Sequence, residues 1–449
     1  MDILALLQCL QSSVSATTLR QLSRIVFAML VMHGRVTMLG MARWGGKGCS
    51  YRTVQRFFSQ ALPWEMLLWW FFRQHVHHAD AVYLLAGDEV VVTKAGKHTY
   101  GLERFFASLY GKPVPGLAFF ALSLVSVQER RAFPIRVEQV VRSETEKATS
   151  KAKAEAKKPP PSTAKRRPGR PKGSKNKDKA IVTLTPELVR IKSMIDALLH
   201  LIAEFIPLTY LVLDGHFGNH NALHTAQQCN LHLISKLRSD SALYVPYDGP
   251  YAGRGPQRKY GSKLDSRSIP EKYLKATTVE GHIQTRLYQA QLLHKEFSQA
   301  LNVVSIVKTN LQTQAEAPVI LCSSDRALPS DTLRDYYCRR FQIEFNFRDA
   351  KQYWGLEDFM NVTATAVTNA ATLALFMVNV SYRRLRDVRQ SDPAHSGLDL
   401  KAQCRGSKYV TETIKMLPEK PEPVLLAQIF NKVAGLGRIH AVQSSFNPG

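Results

Sequence analysis

The sequence predicts an α/β fold, a mixed-sheet core that is interrupted by a basic insert and a β-rich insertion and lies between helical N- and C-terminal regions. Three observations predict it. Apolar, β-branched runs separated by turns fill 81–141; helix and strand patterns alternate from 186 to 236; and a helix with a charged stripe follows near 337–351.

The totals bound the partner more than the chemistry. With 449 residues, 45% hydrophobic, the chain is long enough for two or three domains and a sizeable core. A formal net charge of +24 and a pI near 9.8 point to a polyanion. Cys9, Cys49, Cys229, Cys322, Cys338 and Cys404 are scattered without CxxC pairs, so neither a zinc ribbon nor a disulfide framework is indicated, and they read as reduced thiols. Asp2 precedes the first apolar residues and no basic stretch does, unlike a secretory signal.

Residues 1–78 read as a helical N-terminal DNA-binding domain, with apolar residues at helical spacing through Ile25-Val26-Phe27-Ala28-Met29-Leu30-Val31. Thr37 to Arg43, the turn Trp44-Gly45-Gly46-Lys47-Gly48 and a second helix opening at the N-cap Ser50 suit a helix-turn-helix. Its second helix would present Arg52, Gln55 and Arg56 to a major groove, although the pattern fits an ordinary helical hairpin equally well. Trp64, Trp69, Trp70, Phe71 and Phe72 are too dense for a stacking platform and read as core at a domain junction.

Residues 79–141 form the first part of the core. Ala81 to Val92, Leu117 to Val127 and Ala132 to Val141 read as strands, the first interrupted by Asp88 and Glu89. Residues 142–180 break the pattern. Between Arg142 and Lys179 stand 14 Lys/Arg against 4 Asp/Glu, and no large apolar residue lies between Val141 and Ile181, so a disordered insert is expected. Within it, Lys165-Arg166-Arg167-Pro168-Gly169-Arg170-Pro171-Lys172-Gly173 resembles an AT-hook, which would lay Arg167 and Arg170 into a narrow minor groove.

Residues 181–239 supply the second part of the core: an amphipathic helix from Pro186 to Phe205, a strand Thr209 to Leu213 ending in Asp214-Gly215-His216-Phe217, a short helix, and a strand Leu231 to Lys236. The resulting β-β-β-α-β-α-β order is that of a ribonuclease-H-like core. Residues 240–315, with Gly/Pro-rich turns and alternating segments at His282 to Leu293 and Leu301 to Val307, read as a β-rich insertion. The core resumes in 316–361 with Val319-Ile320-Leu321-Cys322 and the charged helix, capped near Ser330, and 362–449 form a helical C-terminal region. The uncharged run Asn361 to Tyr382 is the best candidate for a membrane span. Its three asparagines argue instead for a buried amphipathic helix of a soluble protein.

On that charged helix Tyr337, Arg340, Glu344 and Lys351 share one face, flanked by Phe341, Ile343, Phe345 and Phe347. An intrahelical Arg340–Glu344 pair would account for two of the four. The full spacing, Tyr-x2-Arg-x3-Glu-x6-Lys, followed by Tyr353-Trp354-Gly355-Leu356-Glu357, resembles the glutamate-helix signature of DDE transposases from bacterial insertion sequences, in particular the insertion sequence four family. The resemblance spans about residues 80–360 and implies a cut-and-paste transposase. Such an enzyme cleaves element ends and joins them to target DNA, acting on double-stranded DNA as a homodimer in the complex. A cytoplasmic, nucleoid-associated place in a prokaryote follows.

Asp88, Asp214 and Glu344 then form the expected catalytic and metal-binding set. Three carboxylates without a histidine or cysteine set suit two Mg²⁺ ions, with Mn²⁺ as substitute. Glu89 could replace Asp88, although strand alternation points it to the opposite face. Asp240, Asp248, Asp325 and Asp349 are expected outside the site. The resemblance implies that Tyr337, Arg340 and Lys351 hold phosphates of the transposon end; Lys94, Lys97 and His98 are candidate backbone contacts, and Trp354 reads as core. Three competitors remain open: a nuclease of the same core without strand transfer, a non-catalytic DNA-binding derivative, and a basic RNA-associated protein.

Overall fold

The computed structural model describes residues 2–440 except 108, 109, 145, 149–181, 203, 252, 254 and 266–268. The AT-hook-like segment with Arg167 and Arg170 lies outside the described residues.

The N-terminal region is helical: α1 (Ile3–Leu6), α2 (Ala16–Val31), α3 (Met38–Trp44), α4 (Tyr51–Ser59) and α5 (Trp64–His75). Ser15, Thr37 and Ser50 start α2, α3 and α4 by accepting a backbone amide three residues on, which satisfies a donor that the first turn leaves open. On α4, Val54, Phe57 and Phe58 are buried while Arg52, Gln55 and Arg56 face outward. The aromatic run of α5 is core. Phe71 and Trp64 pack on Phe376, and the Trp64 indole donates to Asn369 Oδ1 at 2.7 Å.

The sheet begins with β1 (Tyr83–Thr93), β2 (Glu103–Ala107), β3 (Lys112–Ser126) and β4 (Arg131–Val140). After α6 (Pro186–Ile202) come β5 (Tyr210–Val212), α7 (His220–Gln228) and β6 (His232–Leu237). β1 runs antiparallel to β3 from Tyr83↔Ser126 to Thr93↔Gly116 and parallel to β5, which is parallel to β6. β4 adds to the far side of β3, so three antiparallel strands adjoin two parallel ones. From Gly116 to Ser126 every residue of β3 is buried, as a strand covered on both faces must be.

Strands β7 (Leu243–Pro246), β8 (Tyr260–Lys263), β9 (Leu274–Glu280), β10 (Ile283–His294), β11 (Leu301–Asn310) and β12 (Glu316–Ser323) do not make a separate layer. β12 pairs with β6, β11 with β12 and β10 with β11, so the stretch 240–315 extends the same 12-stranded sheet. β2 was not anticipated. It is a short, half-exposed edge partner of β3 whose burial scarcely alternates.

The expected single helix through 337–351 is two: α8 (Ser330–Arg339) and α9 (Gln342–Trp354). At the junction the amides of Arg340, Phe341, Ile343 and Glu344 each bond a carbonyl three residues back, a tighter turn than the α-helix allows. Arg340 and Phe341 keep right-handed helical dihedrals, so the path bends without unwinding. Ser330 is the first helical residue of α8 rather than its cap, and Pro329 precedes it. Gly355, at φ 78°, ends α9 in the left-handed conformation that glycine adopts without penalty.

The C-terminal region holds α10 (Ala364–Arg389), α11 (Gly397–Lys415) and α12 (Pro423–Ala434). By length and composition α10 could cross a membrane, but 83% of its most apolar stretch is buried inside this fold. Its Asn379 amide donates to Pro134 O of β4 at 2.9 Å, and Tyr382 packs edge-on to Phe133.

Candidate active site

The site forms where β1 outruns its parallel neighbour. β5 pairs with β1 at Leu85↔Leu211 and Ala86↔Val212 and then stops. Just beyond the last paired residues, Asp88 and Asp214 line one cleft at the carboxyl end of the parallel pair, where open sheets present their clefts, and Asp88 feels the charge of Asp214. Asp214 is held from both sides of its backbone: its side chain accepts the His216 amide at 3.1 Å, and its carbonyl accepts the Ser235 hydroxyl at 2.6 Å.

Arg340, at the junction of α8 and α9, ties this strand end to the helix. Nη1 donates to Asp88 Oδ2 at 2.6 Å and Nη2 to Glu344 Oε1 at 3.2 Å. Burial pushes the Asp88 carboxyl up from its ordinary range; Arg340 and the Glu89 amide pull it down, while the charges of Asp214 and Glu344 push it further up. Tyr337 faces the same cluster. Burial raises its phenol, Arg340 lowers it and Asp214 raises it. The structure thus brings Asp88, Asp214, Glu344, Tyr337 and Arg340 into one electrostatic neighbourhood.

Lys351 is placed differently from expectation. Its ammonium donates to Val91 O at 2.9 Å and pairs with Glu357 at 2.8 Å, which pins α9 to β1. Lys94 is likewise engaged by protein groups. It donates to Glu357 O and Phe359 O and lies 3.6 Å from the centre of the Phe359 ring, and burial lowers its pKa to about 8. Trp354 is core, 1% exposed, with Lys401 over its ring. The four excluded aspartates include Asp240, paired with Arg238, Asp325, which accepts the Tyr210 hydroxyl, and Asp349, paired with Arg348.

A cleft of about 700 Å³ opens over the strand ends, lined by Asp88, Asp214 and Lys351 and by three residues that sequence reasoning did not assign to it: Glu187, His216 and Phe106. Glu89 lines it too, despite alternation, because the cleft wraps around the overhanging end of β1. Burial and then Glu187 push the Glu89 carboxyl up, while a hydrogen bond to Glu187 is the main cause raising the His216 imidazole. His216 sits two residues after Asp214, a positional signal that was available; Glu187 and Phe106 carried none.

The candidate donors Asp88, Asp214 and Glu344 are all carboxylates, a chemistry that suits a hard divalent cation. Among the described residues, however, no three His, Cys, Asp or Glu side chains are gathered as a ready metal cluster. The Arg340 guanidinium stands between Asp88 and Glu344 and pairs with both. Asp88 and Asp214 line one cleft and fit; Glu344 would complete the set only on release from Arg340.

A family model described as DDE superfamily endonuclease matches residues 5–297. The matched span contains Asp88 and Asp214 and ends before Glu344. A search of curated proteins found no match.

Proposed function

This chain belongs to the DDE superfamily endonuclease family, whose domain implies a ribonuclease-H-like fold, nuclease or transposase activity, a DNA substrate and a use for divalent metal ions; from that premise we propose that it is a DNA transposase of the insertion sequence four type. It cleaves at the ends of its element and joins the freed 3′-hydroxyl to target DNA. Asp88, Asp214 and Glu344 would hold two Mg²⁺ ions, or Mn²⁺, which when bound supply an activated nucleophile and neutralise the leaving oxygen.

The observation that carries this reading is the Arg340 bridge between Asp88 and Glu344 beside Asp214, three acids from remote parts of the chain at one sheet end. Asp88 is desolvated, shares Arg340 with Glu344 and feels the charge of Asp214, a costly arrangement that a fold alone does not need. Arg340 and Tyr337 would position the phosphates of the end DNA, with Arg340 passing from carboxylate to phosphate when the strand arrives. The exposed Arg52 and Arg56 of α4, and Arg167 and Arg170 of the basic insert, would bind the duplex away from the cut. Lys351 acts on this view mainly by holding α9 against β1. Paired ends would be held by a homodimer.

A strand-transfer assay on paired end DNA with Mg²⁺ tests the reading. Integrated product that disappears in Asp214→Ala, with DNA affinity retained, supports a transposase. Nicked but never joined product would make the chain a nuclease, and DNA binding without cleavage a non-catalytic derivative.

A further inference from the structure

We propose that a second cleft beside the carboxylates receives an unpaired stretch of DNA, its bases on an apolar wall and its phosphates on Arg35, Lys97 and His98. The assignment rests on the DNA-cleaving function above and adds where the strand lies. This cleft, about 760 Å³, is bounded by Arg35, by the loop that follows β1, by Tyr110 and by the segment after α9. Thr93, Tyr110 and Glu357 line both clefts, so the two share a wall.

Their charge balances differ. Asp88, Glu89, Glu187 and Asp214 line the first, beside Lys351 and His216; the exposed Lys97 and His98, with Arg35 and Lys94, line the second, and Glu357 borders both. The acid at the second cleft is engaged, since Glu357 pairs with Lys351; its neighbour Asp358 accepts the Val36 amide at 2.9 Å and pairs with Arg35 at 3.4 Å. The buried ammonium of Lys94 fixes that wall through the carbonyls of Glu357 and Phe359 and is not offered to a ligand. An acidic half that would take the reacting phosphodiester with its metal ions thus adjoins a basic half that can hold the neighbouring phosphates.

The apolar lining selects the state of the DNA. Phe106 is 63% exposed, Tyr110 53%, Met360 75% and Val362 50%, a concentration of bare apolar side chains along the two clefts. A duplex hides its base faces and presents phosphate and sugar, so such a wall gains nothing from it. Unpaired bases can lie on tyrosine and methionine while the backbone follows the cations.

Fluorescence anisotropy with a short labelled single strand, and with the same sequence as a duplex, tests the assignment. EDTA is included so that binding is read without cleavage. Lys97→Glu is expected to weaken the single strand by about tenfold and to flatten its salt dependence by roughly one unit of slope. Tyr110→Ala combined with Met360→Ser is expected to weaken the single strand by roughly fivefold or more and to leave duplex affinity within about twofold, which also reports an intact fold. Unchanged single-strand affinity in these variants overturns the assignment, and so does an equal loss for both DNA forms. Because binding is measured without metal, a wild-type chain that binds in this way but never cuts DNA would count against the proposed function and not against the cleft.

Discussion

Arg340 Nη1 stands 2.6 Å from Asp88 Oδ2, an ion pair closed across 252 residues of sequence. Because the same guanidinium also reaches Glu344, one cation neutralises two of the acids proposed above to hold a divalent ion. On that proposal guanidinium and metal would compete for the same oxygens.

The competition predicts the behaviour of Arg340→Gln. Without metal the variant should lose about 1–3 kcal/mol, since Asp88 keeps its desolvation without its partner. Mn²⁺ should then raise its melting temperature more than it raises that of the wild type, although DNA cleavage falls. Thermal melts across a Mn²⁺ titration check this; equal responses of the two proteins would show that Arg340 does not stand in the ion's place.

Gly355→Ala should be among the more damaging single substitutions near the site. Glycine there has φ 78°, and an added Cβ would come within 2.4 Å of Val36 Cβ. Left-handed strain of about 1–2 kcal/mol adds to overpacking of about 1–3 kcal/mol. Urea unfolding should show a clear drop in midpoint, with loss of DNA cleavage because the end of α9 shifts.

Acid should unlatch the C-terminal region. Asp399 is buried, and burial by itself would raise its carboxyl; hydrogen bonds from Ser396, His440 and the amides of Ser396 and Ile439 outweigh that and hold it well below the usual carboxylate range. A depressed carboxyl contributes stability that is fully present above its unfolded value and is lost as pH falls below it. Melting temperature should thus drop below the ordinary aspartate range in the wild type, and Asp399→Asn should be less stable at neutral pH with a flatter acid limb. Parallel acid limbs in the two proteins would exclude Asp399 as the cause.

Charge reversal at Arg52 and Arg56 should weaken duplex binding without touching stability. Both are exposed on α4, whose buried side is carried by Val54, Phe57 and Phe58. Each lost phosphate contact should reduce the slope of log affinity against log salt by about 0.9. Filter binding at several salt concentrations measures it; slopes equal to wild type would place the duplex elsewhere.

Much of the core was readable because each strand carries its own signal. β1, β3 and β4 are runs of β-branched and apolar residues, and a carboxylate inside such a run, like Asp88, stands out as expensive. The spacing from Tyr337 to Lys351 was equally visible, but the break within it was not: Arg340 and Phe341 remain helical in dihedral angle, and only the shift to bonds three residues back divides α8 from α9. β2 escaped because a short edge strand needs little burial to exist. Lys351 was read as a phosphate contact from its place on a helix face. Its partners, Val91 O and Glu357, belong to other segments and could not be known from that face.

The sequence by itself determined which segments become strands and helices, how basic the surface is, and which acids sit where burial makes them costly; these are properties of short windows and of composition. Tertiary structure alone decided that Asp88 and Asp214 share one cleft, that Arg340 stands between Asp88 and Glu344, and that an apolar, basic cleft adjoins the acidic one. Sheet register and helix docking set those relations, and both depend on contacts between residues hundreds of positions apart, whose energies no local pattern contains.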